Sequence, residues 1–377
     1  MADIQDVINL RRTLHRYPEL SNQEFETSRR ISTFMHKLSP DREIAISDTG
    51  KAFVFDGSEA GETIVFRAEL DALPIQQKST LAYRSSIDGV AHLCGHDGHM
   101  AILAGLGQQI AENPPKRGKV VLLFQPAEET YLGAKDVTES AEFHALEADY
   151  IFALHNIPGE PKNKLLLKTG NFTAASAGMT IKLEGITSHA AEPEKGNSPA
   201  TAVSGIMSAF NELIADSGQF SDTTFITLVY IRLGEKSFGV SPDIAEMGFT
   251  LRAFQNDDMN LLTQKAERIV ELIARQKELS FEISYSEIYP PTINDPKCIE
   301  MIEKSAHNLN LEIEQIEKPF RWSEDFAYFT ATNRGAQFGF GAGENQPPLH
   351  SPEYDFPDDT IELAVDVFYG IYEERLC

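Results

Sequence analysis

One short stretch of the chain combines a cysteine, three histidines and an aspartate within eight residues, His92-Leu93-Cys94-Gly95-His96-Asp97-Gly98-His99. Thiolate and imidazole are ligands that borderline metals such as zinc prefer, and a carboxylate can complete the coordination shell. An apolar pattern of helical period follows over residues 100–110, which predicts a loop that leads into a helix. A single histidine would indicate only a polar loop with Asp97 as the helix cap. The density of donors predicts a metal site.

Four apolar runs with the length of buried strands lead into groups that can bind metal or transfer protons. The runs cover residues 63–66, 120–124, 150–154 and 336–340, and the groups after them are Asp71, Glu128 with Glu129, His155, and His350. Continuous apolar runs are typical of parallel strands that are buried on both faces. Ligands of open α/β sheets bind beyond the carboxyl ends of such strands. Because Glu128 and Glu129 are neighbours on a loop, one can bind metal while the other faces a metal-bound water.

Composition excludes several classes of protein. The chain has 377 residues, of which 42% are hydrophobic and 24% are charged, with a net charge of −24. This length allows two domains or one large one, and the acidic balance without a basic stripe argues against nucleic acid as a partner. No apolar run approaches the roughly 18–20 residues of a membrane helix, and no secretory signal is visible. Three scattered cysteines give no disulfide framework. We expect a cytoplasmic protein with no membrane partner.

The middle of the chain has a different pattern from its flanks. Alternation and helical periodicity predict the order βαββαβ, with elements at residues 177–184, 199–215, 223–233, 245–254, 258–277 and 281–285. This is the order of a ferredoxin-like unit. We therefore predict an inserted ferredoxin-like α+β domain at residues 175–287. The flanks, residues 1–174 and 288–377, are predicted to form a discontinuous α/β catalytic domain. Its sheet is expected to be mixed but mostly parallel, with helices on both faces.

Ordered motifs extend almost from one end of the chain to the other. They are Leu14-His15-Arg16-Tyr17-Pro18-Glu19-Leu20-Ser21, Asp71-Ala72-Leu73-Pro74, the stretch 94–99, Gln125-Pro126-Ala127-Glu128-Glu129, His155-Asn156, Ser188-His189-Ala190-Ala191, Ser323-Glu324-Asp325-Phe326 and Leu349-His350-Ser351. Together they resemble the two-metal amidohydrolases and carboxypeptidases related to aminoacylase. The resemblance is strongest to the branch of hippurate hydrolases, N-acyl-amino-acid amidohydrolases and plant indole-acetyl-amino-acid hydrolases.

The resemblance implies a role for each donor. Glu128 would be the general base for a hydroxide that bridges two divalent ions. The ions would be zinc or manganese, with nickel or cobalt as further possibilities. Asp71 or Asp97 would orient the ligands, and the residues leave that choice open. The metal ligands that the resemblance implies are Cys94, His96, Glu129, His155 and His350. A metal-free Cys94 at a helix start is expected to be prone to oxidation.

Two residues of the inserted domain are implied to meet the substrate. His189 would stabilise the oxyanion, in dimers from the neighbouring subunit, although by itself it could be an exposed loop histidine. Arg252 would grip a substrate carboxylate, although it could also be a solvated strand arginine. A homodimer through the inserted domain is expected by analogy. The sequence departs from its relatives in the same domain at Glu194, Ser198 and Gly239, which affects the expected substrate rather than the metal chemistry.

These inferences favour a metal-dependent amidohydrolase that cleaves the amide bond of N-acyl or N-aminoacyl amino acids. The expected partner is a small acyl-amino-acid or dipeptide substrate. A dipeptidase or aminopeptidase on the same scaffold is the nearest alternative. A catalytically silent amino-acid-binding protein is a further alternative, although a binding protein would have no use for Glu128 beside a complete ligand set.

Overall fold

The computed structural model describes residues 4–130 and 133–377. Its helices are α1 (Ile4–Arg16), α2 (Phe25–Met35), α3 (His96–Glu112), α4 (Gly133–Glu139), α5 (Ala141–His144), α6 (Ala200–Ala215), α7 (Asn256–Gln276), α8 (Pro296–Asn308), α9 (Ala327–Thr332) and α10 (Ile361–Leu376). Its strands are β1 (Arg42–Ile46), β2 (Gly50–Asp56), β3 (Glu59–Glu69), β4 (Arg117–Gln125), β5 (Tyr150–Pro158), β6 (Leu165–Leu167), β7 (Gly170–Asn171), β8 (Ala175–Glu184), β9 (Ser188–His189), β10 (Thr224–Leu233), β11 (Val240–Ser241), β12 (Ile244–Ala253), β13 (Ser280–Tyr289), β14 (Ile293–Asn294), β15 (Ile313–Gln315) and β16 (Arg334–Gly343).

The chain divides into two compact units. The first unit contains Met1–Phe172, Thr292–Lys318 and Glu324–Cys377, and the second contains Thr173–Pro291 and Pro319–Ser323. Among the described residues, no helix is both long and apolar enough to cross a membrane.

An eight-stranded sheet forms the centre of the first unit, in the order β1-β2-β4-β3-β5-β16-β6-β15. Strands β4, β3, β5 and β16 run parallel to one another, whereas β1 and β2 pair in antiparallel fashion with their neighbours. Strand β6 is antiparallel to β16 and parallel to β15. The four parallel strands are the apolar runs of the sequence, and their central residues are buried. The predicted mixed, mostly parallel sheet is therefore confirmed.

Helices cover both faces of this sheet because successive strand residues point to opposite sides. Phe66 belongs to a core that contains residues of α1, α3, α8 and α10, and its ring lies 5.0 Å from that of Phe368 in α10. The neighbouring Val65 belongs to a second core with residues of α4, α5 and α9. The prediction of helices on both faces is confirmed.

The second unit has a four-stranded antiparallel sheet in the order β10-β12-β8-β13. Residues of α6 and α7 share a core with alternate residues of β8 and β12, including Ile181 and Met247. When the four strands of this sheet are numbered in chain order (β8, β10, β12, β13), their order in the sheet is 2-3-1-4. Helix α6 follows the first of these strands and α7 follows the third. This arrangement confirms the predicted ferredoxin-like α+β unit.

Candidate metal centre

Gly95 sets the geometry at the start of α3. Its φ of 100° is left-handed, and a Cβ there would lie 2.5 Å from Oδ1 of Asn156. Only glycine tolerates this conformation and this approach without strain. The turn separates Cys94, the last loop donor, from His96, the first residue of α3.

The structure brings Cys94, His96 and His155 together at one edge of the sheet. One ligand atom from each lies within 4.8 Å of the ligand atoms of the other two, and all three residues are buried. The Sγ of Cys94 lies 3.6 Å from Nε2 of His155, which belongs to β5. Spacing of this size suits side chains that surround a single ion.

Cys94 also belongs to a second group of donors, with Glu129 and His350. Nε2 of His350 lies 3.7 Å from Oε1 of Glu129, and the His350 side chain is half exposed. Oε1 of Glu129 lies 4.0 Å from Nε2 of His96, and Oε2 of Glu128 lies 3.8 Å from the same nitrogen. The two groups share Cys94, so the five predicted ligands form one continuous cluster with Glu128 beside it.

Hydrogen bonds fix which ring nitrogens face the cluster. Nδ1 of His96 donates to the main-chain oxygen of Asp71 at 2.9 Å, and Nδ1 of His155 donates to that of Asn156 at 3.0 Å. Each bond assigns the proton to Nδ1 and gives Nε2 the lone pair that a metal needs. Among the buried atoms of the described residues, Nε2 of His96 and Oε1 of Glu129 have no hydrogen-bond partner. Because unsatisfied buried polar atoms are costly, this donor set fits a bound cation.

The electrostatics of the cluster also favour a cation. Burial, together with the neighbouring Glu129, holds the pKa of the Glu128 carboxyl well above its usual range. Burial raises the pKa of Glu129 to about 7, and it lowers that of His155 to about 3 with help from His99. Acidic groups crowded away from water resist ionisation unless a positive charge compensates them. A divalent cation would supply that charge.

Cys94 differs from the expectation that a metal-free thiol at this helix start is easily oxidised. Burial, and then the charge of Glu129, raise the pKa of the Cys94 thiol well above its usual value. A protonated, buried thiol is a poor nucleophile. Burial of the thiol therefore argues against easy oxidation, and the reactivity of the metal-free thiol stays a prediction.

The two aspartates that sequence could not separate have different surroundings. Oδ2 of Asp71 accepts from the backbone N–H of Glu129 at 2.9 Å, and Oδ1 lies 3.4 Å from Nδ1 of His96. Asp97 instead pairs with Nε of Arg11 at 2.9 Å and with Nδ1 of His15 at 2.8 Å. Asp71 therefore contacts candidate ligands, whereas Asp97 ties the start of α3 to α1.

A buried network that sequence analysis did not assign extends behind the cluster. His99 joins Oε2 of Glu69 through Nδ1 at 2.6 Å and Oδ1 of Asn156 through Nε2 at 2.6 Å, and its ring centroid lies 5.0 Å from that of His155. The fully buried Arg67 pairs with Glu69, Glu324 and Asp325. Arg67 and Glu69 follow the apolar run of β3 at residues 64–66, and these charged residues next to a buried run were the sequence signal for this network.

The residues predicted to meet the substrate lie in the second unit. His189 is exposed in β9, where it pairs with Val240, and its Nδ1 accepts from the backbone N–H of Ala191 at 3.1 Å. Arg252 lies in β12, and its Nη1 donates to the main-chain oxygen of Arg321 at 2.9 Å and to Oγ of Ser323 at 2.8 Å. Glu194 lies in a short 3-10 helix, Pro193–Lys195.

The sequence profile of the peptidase family M20/M25/M40 matches residues 65–374. The chain belongs to this family, and with its fold and donor cluster it is a metal-dependent hydrolase.

Known proteins resemble the chain along nearly its whole length. An N-acetyl-L-cysteine deacetylase of Bacillus subtilis is 32% identical, over 98% of this chain and 87% of the relative. A hippurate hydrolase of Campylobacter jejuni is 29% identical, over 95% of this chain and 94% of the relative. The crystal structure of a dinuclear metal-binding M20 peptidase from Bacillus subtilis superposes with a TM-score of 0.84 at 27% identity, over 98% of this chain and 97% of that one.

Proposed function

We propose that the protein hydrolyses the amide bond of N-acyl amino acids at a two-metal centre. The observation that carries the proposal is the cluster of Cys94, His96, Glu129, His155 and His350 with the buried carboxyl of Glu128 beside it. The names of the relatives support the substrate class, since an N-acetyl-L-cysteine deacetylase and a hippurate hydrolase both act on acylated amino acids.

The five clustered donors would hold two divalent ions. Cys94, His96 and His155 form one three-donor group, while Cys94, Glu129 and His350 form the other, so Cys94 would contribute to both ion sites. Imidazole and thiolate donors favour zinc, and the carboxylate also admits manganese. Ions in such a site lower the pKa of a coordinated water and polarise the carbonyl that it attacks.

Glu128 would move the proton. Its carboxyl is buried and lies next to Glu129 in sequence, with Oε2 3.8 Å from Nε2 of His96. It would take a proton from the attacking water and deliver it to the leaving nitrogen. A raised pKa suits both steps because general acid–base catalysis is most effective when the pKa of the group lies near the working pH.

His189 and Arg252 would bind the substrate. His189 would donate a hydrogen bond to the oxygen that becomes negatively charged during attack. Arg252 would bind the carboxylate of the amino-acid part. Because its Nη1 already donates to Arg321 and Ser323, the side of its guanidinium with Nε and Nη2 would make that contact. The acidic Glu194 would disfavour substrates with a second negative charge nearby.

We also propose that two copies associate through the inserted domain. Strand β10 is an edge of its sheet, and Val229 and Leu228 on it are 63% and 39% exposed. Exposed apolar edge strands are natural pairing surfaces. A wild-type dimer that dissociates in a Val229→Lys variant during sedimentation would support this surface, and a wild-type monomer would exclude it.

A substrate panel tests the proposed activity. Chelator-treated protein, reloaded with Mn²⁺ or Zn²⁺, would be assayed on N-acetyl, N-benzoyl and N-aminoacyl derivatives of the same amino acids. We expect metal-dependent release of the amino acid, with the largest kcat/KM on an acylated member. The highest kcat/KM on an aminoacyl member would indicate a dipeptidase. Stabilisation by a substrate without any turnover would indicate a binding protein.

A further inference from the structure

The turn that carries Glu128 and Glu129 has an unusual backbone. Strand β4 ends at Gln125, and Ala127 two residues later has a φ of 55°. Residues with a Cβ adopt this left-handed region at a cost, so other contacts must hold them there. The conformation of Ala127 directs the chain into the short 3-10 helix Glu128–Thr130. The positions of both glutamates therefore depend on what holds Ala127.

Carboxylates from three distant parts of the chain accept hydrogen bonds from the backbone of this turn and of the helix α4 that follows. Oε1 of Glu24 accepts from the N–H of Ala127 at 2.9 Å. Oδ2 of Asp71 accepts from the N–H of Glu129 at 2.9 Å, and Oδ2 of Asp325 accepts from that of Ala134 at 2.8 Å. All three carboxylates are buried. The turn is thus held at Ala127 and at Glu129, and α4 is held at Ala134.

Glu24 is the carboxylate that holds the strained residue. Its other oxygen, Oε2, accepts from Oγ1 of Thr49 at 2.9 Å, so both oxygens have donors. Glu24 and Thr49 are 0% and 2% exposed. A buried carboxylate is costly unless it is fully hydrogen-bonded, and no Lys or Arg pairs with Glu24 among the described ion pairs. Its burial is therefore explained by the contact with the turn.

We propose that Glu24 is a positioning residue for the metal centre, which acts through the N–H of Ala127 on Glu128 and Glu129. Without it, the turn would relax toward ordinary backbone angles and displace both glutamates from the donor cluster. The inference rests on the proposed function for the role of Glu128. Its effect on Glu129 can be measured by metal binding alone.

Three variants isolate the contact. Glu24→Ala removes both hydrogen bonds. Glu24→Gln keeps an oxygen that can accept from Ala127 and an amide that can donate to Thr49. Glu19→Ala is the matched control, because it removes a hydrogen bond of the same kind that does not involve the turn, from the backbone N–H of Thr27 to Oε2 of Glu19 at 2.7 Å.

Calorimetric titration of the metal-free proteins with Mn²⁺ provides the readout that does not depend on activity. In Glu24→Ala we expect the affinity for the ion held by Glu129 to fall about 10- to 100-fold, as for other residues that orient ligands. Binding at the group of Cys94, His96 and His155 should change little. We expect kcat on the best substrate to fall by a similar factor with KM nearly unchanged. Glu24→Gln should recover most of both losses, and Glu19→Ala should resemble the wild type.

The outcomes separate this inference from the proposed function. Wild-type metal affinity and kcat in Glu24→Ala would overturn the positioning role and leave the hydrolase proposal intact, and an equal loss in Glu19→Ala would also overturn it. The expected loss of metal affinity in proteins that cleave no acyl amino acid would support the positioning role and overturn the proposed hydrolysis of acyl amino acids. If Glu24→Ala does not fold, Thr49→Val tests the positioning role instead. It removes the hydrogen bond to Oε2 of Glu24 and should weaken Mn²⁺ binding, as expected for Glu24→Ala. No change in Thr49→Val would then overturn the positioning role.

Discussion

The backbone N–H of Glu129 donates a hydrogen bond of 2.9 Å to Oδ2 of Asp71. The same oxygen accepts from Oγ of Ser21 at 2.7 Å, and the main-chain oxygen of Asp71 accepts from Nδ1 of His96. A single aspartate after β3 therefore fixes a candidate imidazole ligand and a candidate carboxylate ligand that come from different parts of the chain.

Asp71 and Asp97 should respond differently to the same amide substitution. In Asp71→Asn we expect a loss of metal affinity of about 10- to 100-fold, because the support for His96 and Glu129 is weakened. In Asp97→Asn we expect near-normal metal affinity but a loss of about 1–3 kcal/mol in the free energy of unfolding, because the buried Arg11 and His15 lose a charged partner. Metal titration and urea unfolding of both variants measure the two effects. Equal metal affinity in both variants would refute the distinction.

Glu128 and Glu129 should also differ, although they are neighbours. Glu128→Gln keeps the size of the side chain and removes its capacity to take a proton. We expect kcat to fall by about 10²- to 10⁴-fold while both ions stay bound. Glu129→Gln should instead lower the metal content. Steady-state kinetics and metal analysis on the same samples measure both effects. Full activity in the Glu128→Gln variant would exclude Glu128 as the general base.

Metal binding should become stronger as the pH rises. Burial raises the pKa of the Cys94 thiol well above its usual value and that of Glu129 to about 7, so near neutral pH the metal-free protein holds a proton on the thiol and a partial one on the Glu129 carboxyl. Ligation requires their deprotonated forms, and binding therefore releases protons. Calorimetry in buffers of different ionisation enthalpy counts the protons. Cys94→Ser should release fewer, and an unchanged count would show that the thiol is not a ligand.

Arg67 should be far more important for stability than a surface arginine. It is fully buried among Glu69, Glu324 and Asp325. Removal of one partner from a buried ionic network leaves uncompensated charge and costs about 3–5 kcal/mol. We expect a loss of this size in the unfolding free energy of Arg67→Met. The control is Arg29→Ala, which breaks an exposed pair with Glu26 and should have no measurable effect. Similar losses in both variants would contradict a special role for Arg67.

The parallel core of the sheet could be predicted because it depends on local sequence. The apolar runs of β3, β4, β5 and β16 are buried on both faces, and this burial leaves a continuous hydrophobic signal. The candidate ligands follow the ends of such runs or lie at the start of the next helix. Cysteine, histidine and glutamate stand out there against the apolar residues beside them. For this reason the sequence pattern predicted a metal site, whereas the set of five ligands was implied by the resemblance to a known family.

Other helices and strands are harder to predict because their sequences show little periodicity. Helix α10 has buried residues on most of its sides, so its apolar residues have little helical periodicity. Strands β6 and β15 have three residues each, which is too short for a pattern. Helix α8 was also not predicted, although Asp295 caps it and Pro296 occupies its first position, which is a recognised start signal.

The supporting contacts of the site could not be predicted because they join residues that are far apart in sequence. Oε1 of Glu24 reaches Ala127 across 103 positions, and His15 reaches Asp97 across 82. No spacing rule relates such residues. Only the packing of α1, α2 and α3 against the sheet brings them together.

The metal content of the purified protein is the most direct test of a two-metal centre. Chelator-treated wild-type protein would be reloaded with Zn²⁺ or Mn²⁺, freed of excess ions and analysed by mass spectrometry, beside a Cys94→Ser/Glu129→Gln double variant. We predict about two ions per wild-type chain, as in other two-metal hydrolases, and a clear loss in the double variant. A wild-type chain that retains no transition metal, or a double variant that retains the full amount, would show that these residues do not form the centre.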